Sequence, residues 1–178
     1  MRNWTAIPAA ILALGALSGV AAYENAPRAD WREIAWPFPR DGWPAGRAFR
    51  CKGAVCGGEV EVYVRPKIGF CNCDSGVADD DEVDRVADLD LMSERFAARE
   101  AGHVIRVADM PGRLRAYDLD MPDGSRRAAV GIAVSRRCDL LVAVAQGRGD
   151  ASEMRHAALE YLGSAEMTNW MVAAMEER

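Results

Sequence analysis

Histidine is scarce in this sequence, which contains only His103 and His156. Neither belongs to the H-E-x-x-H motif of zinc proteases, and no C-x-x-C-H motif for haem attachment is present. The sequence also lacks a phosphate-binding loop, the G-x-G-x-x-G dinucleotide motif and the G-x-S-x-G motif of serine hydrolases. We therefore expect no cofactor and predict no catalytic residue, so the sequence favours a protein that is not an enzyme.

Lysine is equally scarce, and nearly all basic side chains are arginine, a residue that favours fixed, bidentate pairing with carboxylates. The chain has 22 Lys and Arg against 27 Asp and Glu, which gives a formal net charge of −5. Nucleic-acid binding requires basic side chains clustered on one face to neutralise phosphates. Because the sequence shows no such cluster, we expect no nucleic-acid partner.

The N-terminal segment is strongly apolar. A short, singly basic start precedes the apolar residues 4–22, and Val20 and Ala22 are the small residues that a signal peptidase requires before Tyr23. The sequence predicts a secretory signal at 1–22; the alternative is an uncleaved membrane anchor, because residues 4–22 could just span a bilayer. In both cases we expect a periplasmic or secreted protein, which contacts a membrane only through this segment if it is uncleaved.

Five cysteines follow: Cys51, Cys56, Cys71, Cys73 and Cys138. An exported chain favours disulfides over a metal site, and the C-x-C spacing of Cys71 and Cys73 fits zinc poorly. A bridge between the Cys51/Cys56 and Cys71/Cys73 pairs would close a loop of about 20 residues. A Cys71–Cys73 bridge would be strained and easily reduced. The pairing stays open, and Cys138 is predicted either as a buried free thiol or as a replacement for one of the other four.

An acidic run at residues 79–81 precedes an apolar pattern with helical spacing. Acidic side chains stabilise the first turn of a helix, and Asp is a favourable N-cap, so the run predicts a capped helix that continues to about Ala101. The alternative is a divalent-cation site formed by Asp79, Asp81 and Asp84. The run lacks the glycine and the terminal glutamate of an EF-hand loop.

Residues 23–50 are rich in proline and tryptophan. Each proline holds the preceding residue in an extended conformation, so the segment is predicted to be an extended arm. The arm either lies over the sheet with its aromatic residues as anchors or exposes them to a protein partner. The aromatic residues in question are Trp31, Trp36, Phe38 and Trp43.

Alternating apolar residues predict a half-buried strand at residues 59–65. Continuous apolar runs at 128–134 and 140–145 predict central strands that are buried on both faces. Short links, including a Pro-Asp-Gly turn, favour antiparallel pairing of these strands with further strands at 104–108 and 113–119.

Two amphipathic helices, capped by Asp150 and Ser164, close the chain, and their methionines are predicted to pack in the core. The sequence predicts a single-domain α+β fold, a mainly antiparallel sheet flanked by helices and stapled by disulfides. The expected division is a signal at 1–22, the arm at 23–50 and the α+β domain at 51–178.

This order of elements over about residues 58–165 resembles the PsbP-like α/β/α architecture, a similarity of architecture that implies no function. The segment Arg-Pro-Lys-Ile-Gly-Phe-Cys-Asn-Cys at 65–73, followed by the acidic run, resembles a family of secreted bacterial proteins that has no assigned activity. Neither resemblance implies site residues.

Three hypotheses about function follow from the sequence. The first is an exported, non-catalytic accessory or binding module of the bacterial cell envelope that engages a protein partner. The second is a thiol-redox or metal-handling protein centred on Cys71 and Cys73. The third is divalent-cation binding at the cluster between Asp79 and Asp84.

Overall fold

The computed structural model describes residues 29–39 and 41–176. The segment predicted to be a secretory signal, or alternatively a membrane anchor, lies outside these residues. Within residues 29–39 and 41–176, no helix is both long enough and apolar enough to cross a membrane.

One antiparallel sheet of eight strands forms the body of the protein, with the strand order β1-β2-β3-β8-β7-β6-β4 and with β5 also paired to β6. The strands are β1 (Trp31–Ile34), β2 (Arg47–Gly53), β3 (Gly58–Lys67), β4 (Phe96–Ala98), β5 (His103–Val107), β6 (Met110–Asp120), β7 (Arg126–Arg136) and β8 (Asp139–Gly147). The helices are α1 (Asp80–Val86), α2 (Ala151–Leu162) and α3 (Ala165–Glu176). The predicted α+β fold, with its two C-terminal helices, is confirmed.

The centre of the sheet is the part that the apolar patterns predicted best. Strand β8 lies between β3 and β7, and every residue of β8 is buried, because helices or loops cover both faces of the sheet there. Strand β3 is half-buried as predicted only up to Glu61, because from Tyr63 onwards both of its faces are buried. Its residues Val60, Val62 and Val64 face the helices α2 and α3, whereas Tyr63 packs in the core on the opposite face.

Helices α2 and α3 cover one face of the sheet. Met154 of α2 and Met167 and Met171 of α3 pack in the same core as the valines of β3. The predicted cap of α2 is present, because the side chain of Asp150 accepts hydrogen bonds from two backbone N–H groups of the first turn. Full burial of one such methionine contributes about 1.5–3 kcal/mol, so packing accounts for these residues.

Helix α1 covers part of the opposite face and is shorter than predicted. Its cap is Asp79, whose side chain accepts a hydrogen bond from the Glu82 N–H at 2.9 Å. The predicted continuation to Ala101 is wrong, because α1 ends at Val86 and residues 96–98 form β4. The chain leaves the helix where Asp88 turns into the core to bind Arg65. A contact between distant residues thus overrides the local pattern.

The described part of the predicted arm contributes two strands to the sheet. Strand β1 pairs with β2, and β2 pairs with β3, so the expected boundary between residues 50 and 51 falls inside β2. Between these two strands the chain crosses the face that carries α1, where Trp36 and Phe38 pack near Tyr63.

A buried arginine on β3 connects three segments of the chain on this face. The Arg65 side chain is only 3% exposed, and its Nε and Nη2 donate to both carboxylate oxygens of Asp88, at 2.6 and 2.7 Å. Its Nη1 and Nη2 donate to Asp41, at 2.8 and 2.7 Å. Lys67 pairs with Asp88 at 2.7 Å and donates to the carbonyl of Val86 at 2.8 Å. These contacts fasten both the crossing segment and the end of α1 to the sheet.

Two disulfides staple the fold, Cys51–Cys56 and Cys73–Cys138, and Cys71 is free. The structure has neither a bridge between the Cys51/Cys56 and Cys71/Cys73 pairs nor a Cys71–Cys73 bridge, and Cys138 is not the buried free thiol. The loop after β3 runs beside the turn between β7 and β8, where the Cys71 N–H donates to the Cys138 carbonyl at 3.2 Å. This contact brings Cys138 within reach of Cys73, a pairing that sequence spacing could not reveal.

The two disulfides are expected to differ in their contribution to stability. In the chain-entropy model, the Cys73–Cys138 bridge, with a sequence separation of 65, contributes about 4 kcal/mol, and the Cys51–Cys56 bridge, with a separation of 5, about 2 kcal/mol. We expect the double variant Cys73→Ala/Cys138→Ala to lose more unfolding free energy than Cys51→Ala/Cys56→Ala. Urea unfolding measures the free energy of unfolding of both variants. Reduced wild-type protein, which lacks the bridges but keeps the sulfur atoms, is the control for the packing lost with the sulfurs. Equal losses after this correction would contradict the expectation.

The ion pair between Arg65 and Asp41 predicts a dependence of stability on pH. Hydrogen bonds from Arg65 lower the pKa of Asp41 to about 2, so this carboxylate stabilises the fold above its unfolded pKa, near 3.8. That stabilisation disappears as the pH falls towards about 2. We expect the difference in unfolding free energy between wild type and Asp41→Asn to be constant above about pH 5 and to shrink between about pH 4 and 2. Urea unfolding across this range tests it, and a difference that does not change with pH would refute it.

Candidate functional site

One edge of the sheet is formed by two short strands, β4 and β5, which both pair with β6. Between them, the four residues 99–102 lie opposite only Arg115 and Ala116 of β6. They form a bulge that breaks the edge into two parts, although the Arg99 N–H still donates to the Ala116 carbonyl at 2.9 Å. The bulge is held by α1, because Asp80 accepts a hydrogen bond from the Gly102 N–H at 2.9 Å and binds Arg113 of β6 at 2.5 Å. We call the outward side of β5 (His103–Val107) the β5 edge.

The backbone of the β5 edge has hydrogen-bonding groups that point away from the sheet. A two-residue turn joins β5 to β6, so Val107 and Met110 form the hydrogen-bonded pair that closes the hairpin. By alternation, Ile105 and His103 also bond to β6, whereas the N–H and C=O groups of Val104 and Arg106 point outward. The pairing agrees with this, because Pro111, which has no N–H to donate, lies opposite Arg106.

The same edge carries exposed apolar side chains. Among the described residues only three large hydrophobic side chains are exposed: Val104 at 79%, Val55 at 44% and Phe96 at 38%. Val104 lies on β5 and Phe96 on β4, so two of the three line one edge of the sheet. An edge with free backbone groups and exposed apolar residues is a surface on which another strand can pair.

Helix α1 uses its acidic residues to dock on β6. Asp84 accepts hydrogen bonds from Arg115 at 2.7 Å and from the hydroxyl of Tyr117 at 2.5 Å. Asp79 caps the helix and Asp81 is exposed, so the three proposed cation ligands are used in different ways. Within residues 29–39 and 41–176, no group of three or more His, Cys, Asp or Glu is arranged to hold a metal ion. Cation binding at Asp79, Asp81 and Asp84 stays a prediction that this geometry does not support.

All four aromatic residues proposed to bind a partner are half-buried against the protein's own surface. The ring of Trp31 stacks on Tyr161 with centroids 4.7 Å apart. The ring centroids of Trp36 and Phe38 lie 6.2 and 4.9 Å from that of Tyr63, in edge-to-face contacts. The ring centroids of Trp43 and Phe70 are 5.2 Å apart. Of the two interpretations of the arm, these contacts favour anchoring, and partner binding by these residues stays a prediction.

The cysteines at the centre of the redox hypothesis differ in state. Cys73 is bonded to Cys138, whereas Cys71 is a half-buried free thiol. Burial, together with the negative charges of Glu82 and Asp139, raises the pKa of the Cys71 thiol. Because the thiolate is the reactive form, this environment makes Cys71 a poor nucleophile at neutral pH. A thiol-redox or metal-handling role at Cys71 and Cys73 stays a prediction.

Val104 and Phe96 were missed as functional candidates because their sequence contexts resemble core segments. Val104 belongs to the predicted strand at 104–108, and Phe96 to the helix that the pattern extended too far. A period of two indicates which residues share a face, but it does not indicate whether a strand lies at the edge of the sheet. Only the strand order reveals this.

The free thiol predicts the outcome of alkylation. Native protein is expected to take up one alkyl group, at Cys71, slowly at pH 7 and faster as the pH rises beyond the ordinary thiol pKa of 9.0. Intact-mass measurement over time reads out both number and rate. Reduced, unfolded protein, which exposes all five thiols, is the control. Rapid modification at pH 7, or more than one native adduct, would contradict this prediction.

Comparisons with known proteins yield little beyond this geometry. No family model matches the chain, and no curated protein matches it. Among solved structures, the crystal structure of PA94, a protein of unknown function from Pseudomonas aeruginosa, aligns with 86% of this chain and 85% of its own. The identity is 13% and the TM-score is 0.34, so this similarity carries no argument about the chain. The resemblances to PsbP-like proteins and to a secreted bacterial family therefore stay expectations.

Proposed function

We propose that the protein is an exported, non-catalytic binding module of the bacterial cell envelope that engages a protein partner through the β5 edge. The observation that carries this proposal is Val104, which is 79% exposed on a strand whose outer backbone groups have no strand beside them among the described residues. An extended segment of a partner could pair with this edge and continue the sheet. The two disulfides support export, because such bonds persist in oxidising compartments.

The side chains of the β5 edge define the partner's chemistry. Val104 and Arg106 project on the face that carries α1, and Ile105 projects on the other face and packs against the core of α2 and α3. Cross-strand neighbours are most favourable when apolar residues meet each other and opposite charges meet. The partner strand should therefore place an acidic residue opposite Arg106 and apolar residues opposite Ile105 and Val104.

Arg106 also argues against a second copy of this chain as the occupant. Its guanidinium donates to the carbonyl of Asp109 at 2.7 Å and makes no salt bridge with a described carboxylate. In a symmetric antiparallel pair of β5 strands centred on Ile105, Arg106 would lie opposite Val104 of the other copy. The arginine would gain no acidic partner, so a different protein fits this edge better.

The test of this proposal uses a single change in the backbone. Proline at position 104 removes the outward N–H but spares the ladder to β6, because edge strands tolerate proline where the N–H faces solvent. The probe is a capped peptide with the core Glu-Ile-Val flanked by threonines, and a peptide with the core Lys-Ile-Val is its control. We expect Val104→Pro to weaken binding of the Glu peptide about tenfold or more and Val104→Thr, which keeps the N–H, to change it much less.

Amide hydrogen exchange followed by NMR reports the geometry directly. In the free protein, the amides of Val104 and Arg106 are expected to exchange rapidly and that of Ile105 slowly, and the Glu peptide should slow the first two. A photo-crosslinking residue at position 104 then identifies a partner in the cell envelope, with position 55, exposed elsewhere, as the control. The proposal fails if Val104→Pro binds as well as Val104→Thr. It also fails if wild type prefers neither peptide and position 104 gives no adduct that position 55 lacks.

A further inference from the structure

The sheet has a second edge, formed by β1 (Trp31–Ile34), at the end of the strand order opposite β5. Within residues 29–39 and 41–176, β2 is the only strand that pairs with β1. We call the outward side of β1, together with Ala29 and Asp30 before it, the β1 edge. An edge that presents unpaired backbone groups can template the addition of another strand.

The hydrogen-bonding pattern of the sheet determines which groups of β1 point outward. The turn between β7 and β8 has two residues, so the pair that closes it is hydrogen-bonded, and the alternation continues from there through β8, β3 and β2. By this alternation Arg32 and Ile34 bond to β2, which leaves the N–H and C=O groups of Trp31 and Glu33 facing outward. Pro66 of β3 agrees with the pattern, because it has no N–H to donate and its backbone faces the β2 side just beyond the last pair of that ladder.

The side chains of the β1 edge differ between the two faces of the sheet. Asp30 and Arg32 project on the face that carries α1, where Nε and Nη2 of Arg32 donate to Oδ2 of Asp30 at 3.0 and 2.8 Å. Both side chains are strongly exposed, Arg32 at 80% and Asp30 at 69%. On the other face the half-buried indole of Trp31 stacks on Tyr161, with ring centroids 4.7 Å apart. The edge therefore presents an exposed pair of opposite charges on one face and a fixed aromatic ring on the other.

Two copies of this edge can pair with each other in few registers. In a symmetric antiparallel pair that keeps each face of the sheet continuous, one residue lies opposite itself on the two-fold axis. An axis at Arg32 would place two arginines opposite each other, and an axis at Glu33 would place two glutamates so; like charges in these positions destabilise a sheet. An axis at Ile34 would place Pro37, which has no N–H, opposite Trp31.

An axis at Trp31 avoids all of these conflicts. The outward backbone groups of Trp31 then meet those of its copy, and those of Glu33 meet Ala29 of the other copy. On the face that carries α1, Arg32 of each copy lies opposite Asp30 of the other, so the four charges alternate in sign across the two strands. On the other face the two indoles lie side by side, which covers more of each ring.

We propose that the protein forms a symmetric dimer in which the β1 edges of two copies pair antiparallel, with Trp31 at the two-fold axis. The two sheets join into one continuous sheet, and the β5 edge stays free at each end. A second copy fits better than a different protein, because the β1 edge itself supplies both the acid that Arg32 needs and the base that Asp30 needs. Each copy contributes one short strand, so the interface is smaller than that of a permanent dimer, and we expect a dissociation constant of about 10–100 µM. This inference does not depend on the β5 edge.

Reversal of one charge tests the register. Sedimentation equilibrium of the exported protein between about 5 and 500 µM measures the dissociation constant of the dimer. Asp30→Arg places two arginines opposite each other at both ends of the pairing, so it should raise the dissociation constant about tenfold or more. The double variant Asp30→Arg/Arg32→Asp restores the alternation with the signs exchanged and should return the constant to within about threefold of the wild-type value. The control is Asp120→Arg, which makes the same change in net charge at a carboxylate of β6 that also pairs with an arginine.

Proline substitution tests the backbone pairing. Glu33→Pro removes an outward N–H and Glu33→Thr keeps it, whereas both variants lose the hydrogen bonds between Glu33 and Arg47. We expect the dissociation constant of Glu33→Pro to be about tenfold or more above that of Glu33→Thr. In the wild type, amide hydrogen exchange at Trp31 and Glu33 should slow as the protein concentration rises from about 5 to 500 µM, whereas exchange at Val104 should not change.

Each of the following results would overturn the assignment. One is a wild-type protein that stays monomeric over the whole concentration range. Others are an unchanged dissociation constant in folded Asp30→Arg, a double variant that associates no better than Asp30→Arg, and equal constants for Glu33→Pro and Glu33→Thr. The last is slow amide exchange at Trp31 and Glu33 that does not depend on concentration, which would mean that each copy covers its own edge. Peptide binding at the β5 edge is measured with different probes and variants, so failure of either proposal does not affect the other.

Discussion

Burial of the Arg65 guanidinium imposes the main constraint on this structure. A charge that is 3% exposed must be paired on every side, because removing one partner from a buried ion pair generally costs about 3–5 kcal/mol. The two carboxylates come from Asp41, in the segment between β1 and β2, and from Asp88, just after α1. Because both carboxylates must reach the Arg65 guanidinium, this one side chain fixes the positions of two segments on the sheet. It also determines where α1 ends and how the chain reaches the edge of the sheet.

Sequence patterns predicted the centre of the fold and failed where distant contacts decide the structure. Strands β3, β7 and β8 and the two C-terminal helices follow from periodicity and caps, since their residues are buried by immediate neighbours. Helix α1 was extended too far because Leu91 and Phe96 continue a helical spacing, and nothing local reveals that Asp88 must reach Arg65. Disulfide pairing could not be predicted either, because it depends on the loop after β3 lying beside the turn that holds Cys138.

The proposed binding surface at the β5 edge was beyond the reach of sequence patterns. The β5 edge depends on the strand order, which leaves one side of Val104 and Arg106 without a neighbouring strand in residues 29–39 and 41–176. The informative feature is the outward backbone hydrogen-bonding groups of β5 that no described strand uses. Residue type and spacing do not reveal such groups, whereas the assembled fold shows them.

The bulge at residues 99–102 also limits what the exposed edge can template. A foreign chain aligned with β5 meets an offset after five residues, so its ladder cannot run on without interruption into β4. Long, uninterrupted edges are the ones that recruit copy after copy into fibrils. Asp80 of α1 holds this bulge in place, so a strand added beside β5 can pair over only a few residues. An edge interrupted in this way offers a short stretch for strand pairing and not the long template that fibril growth requires.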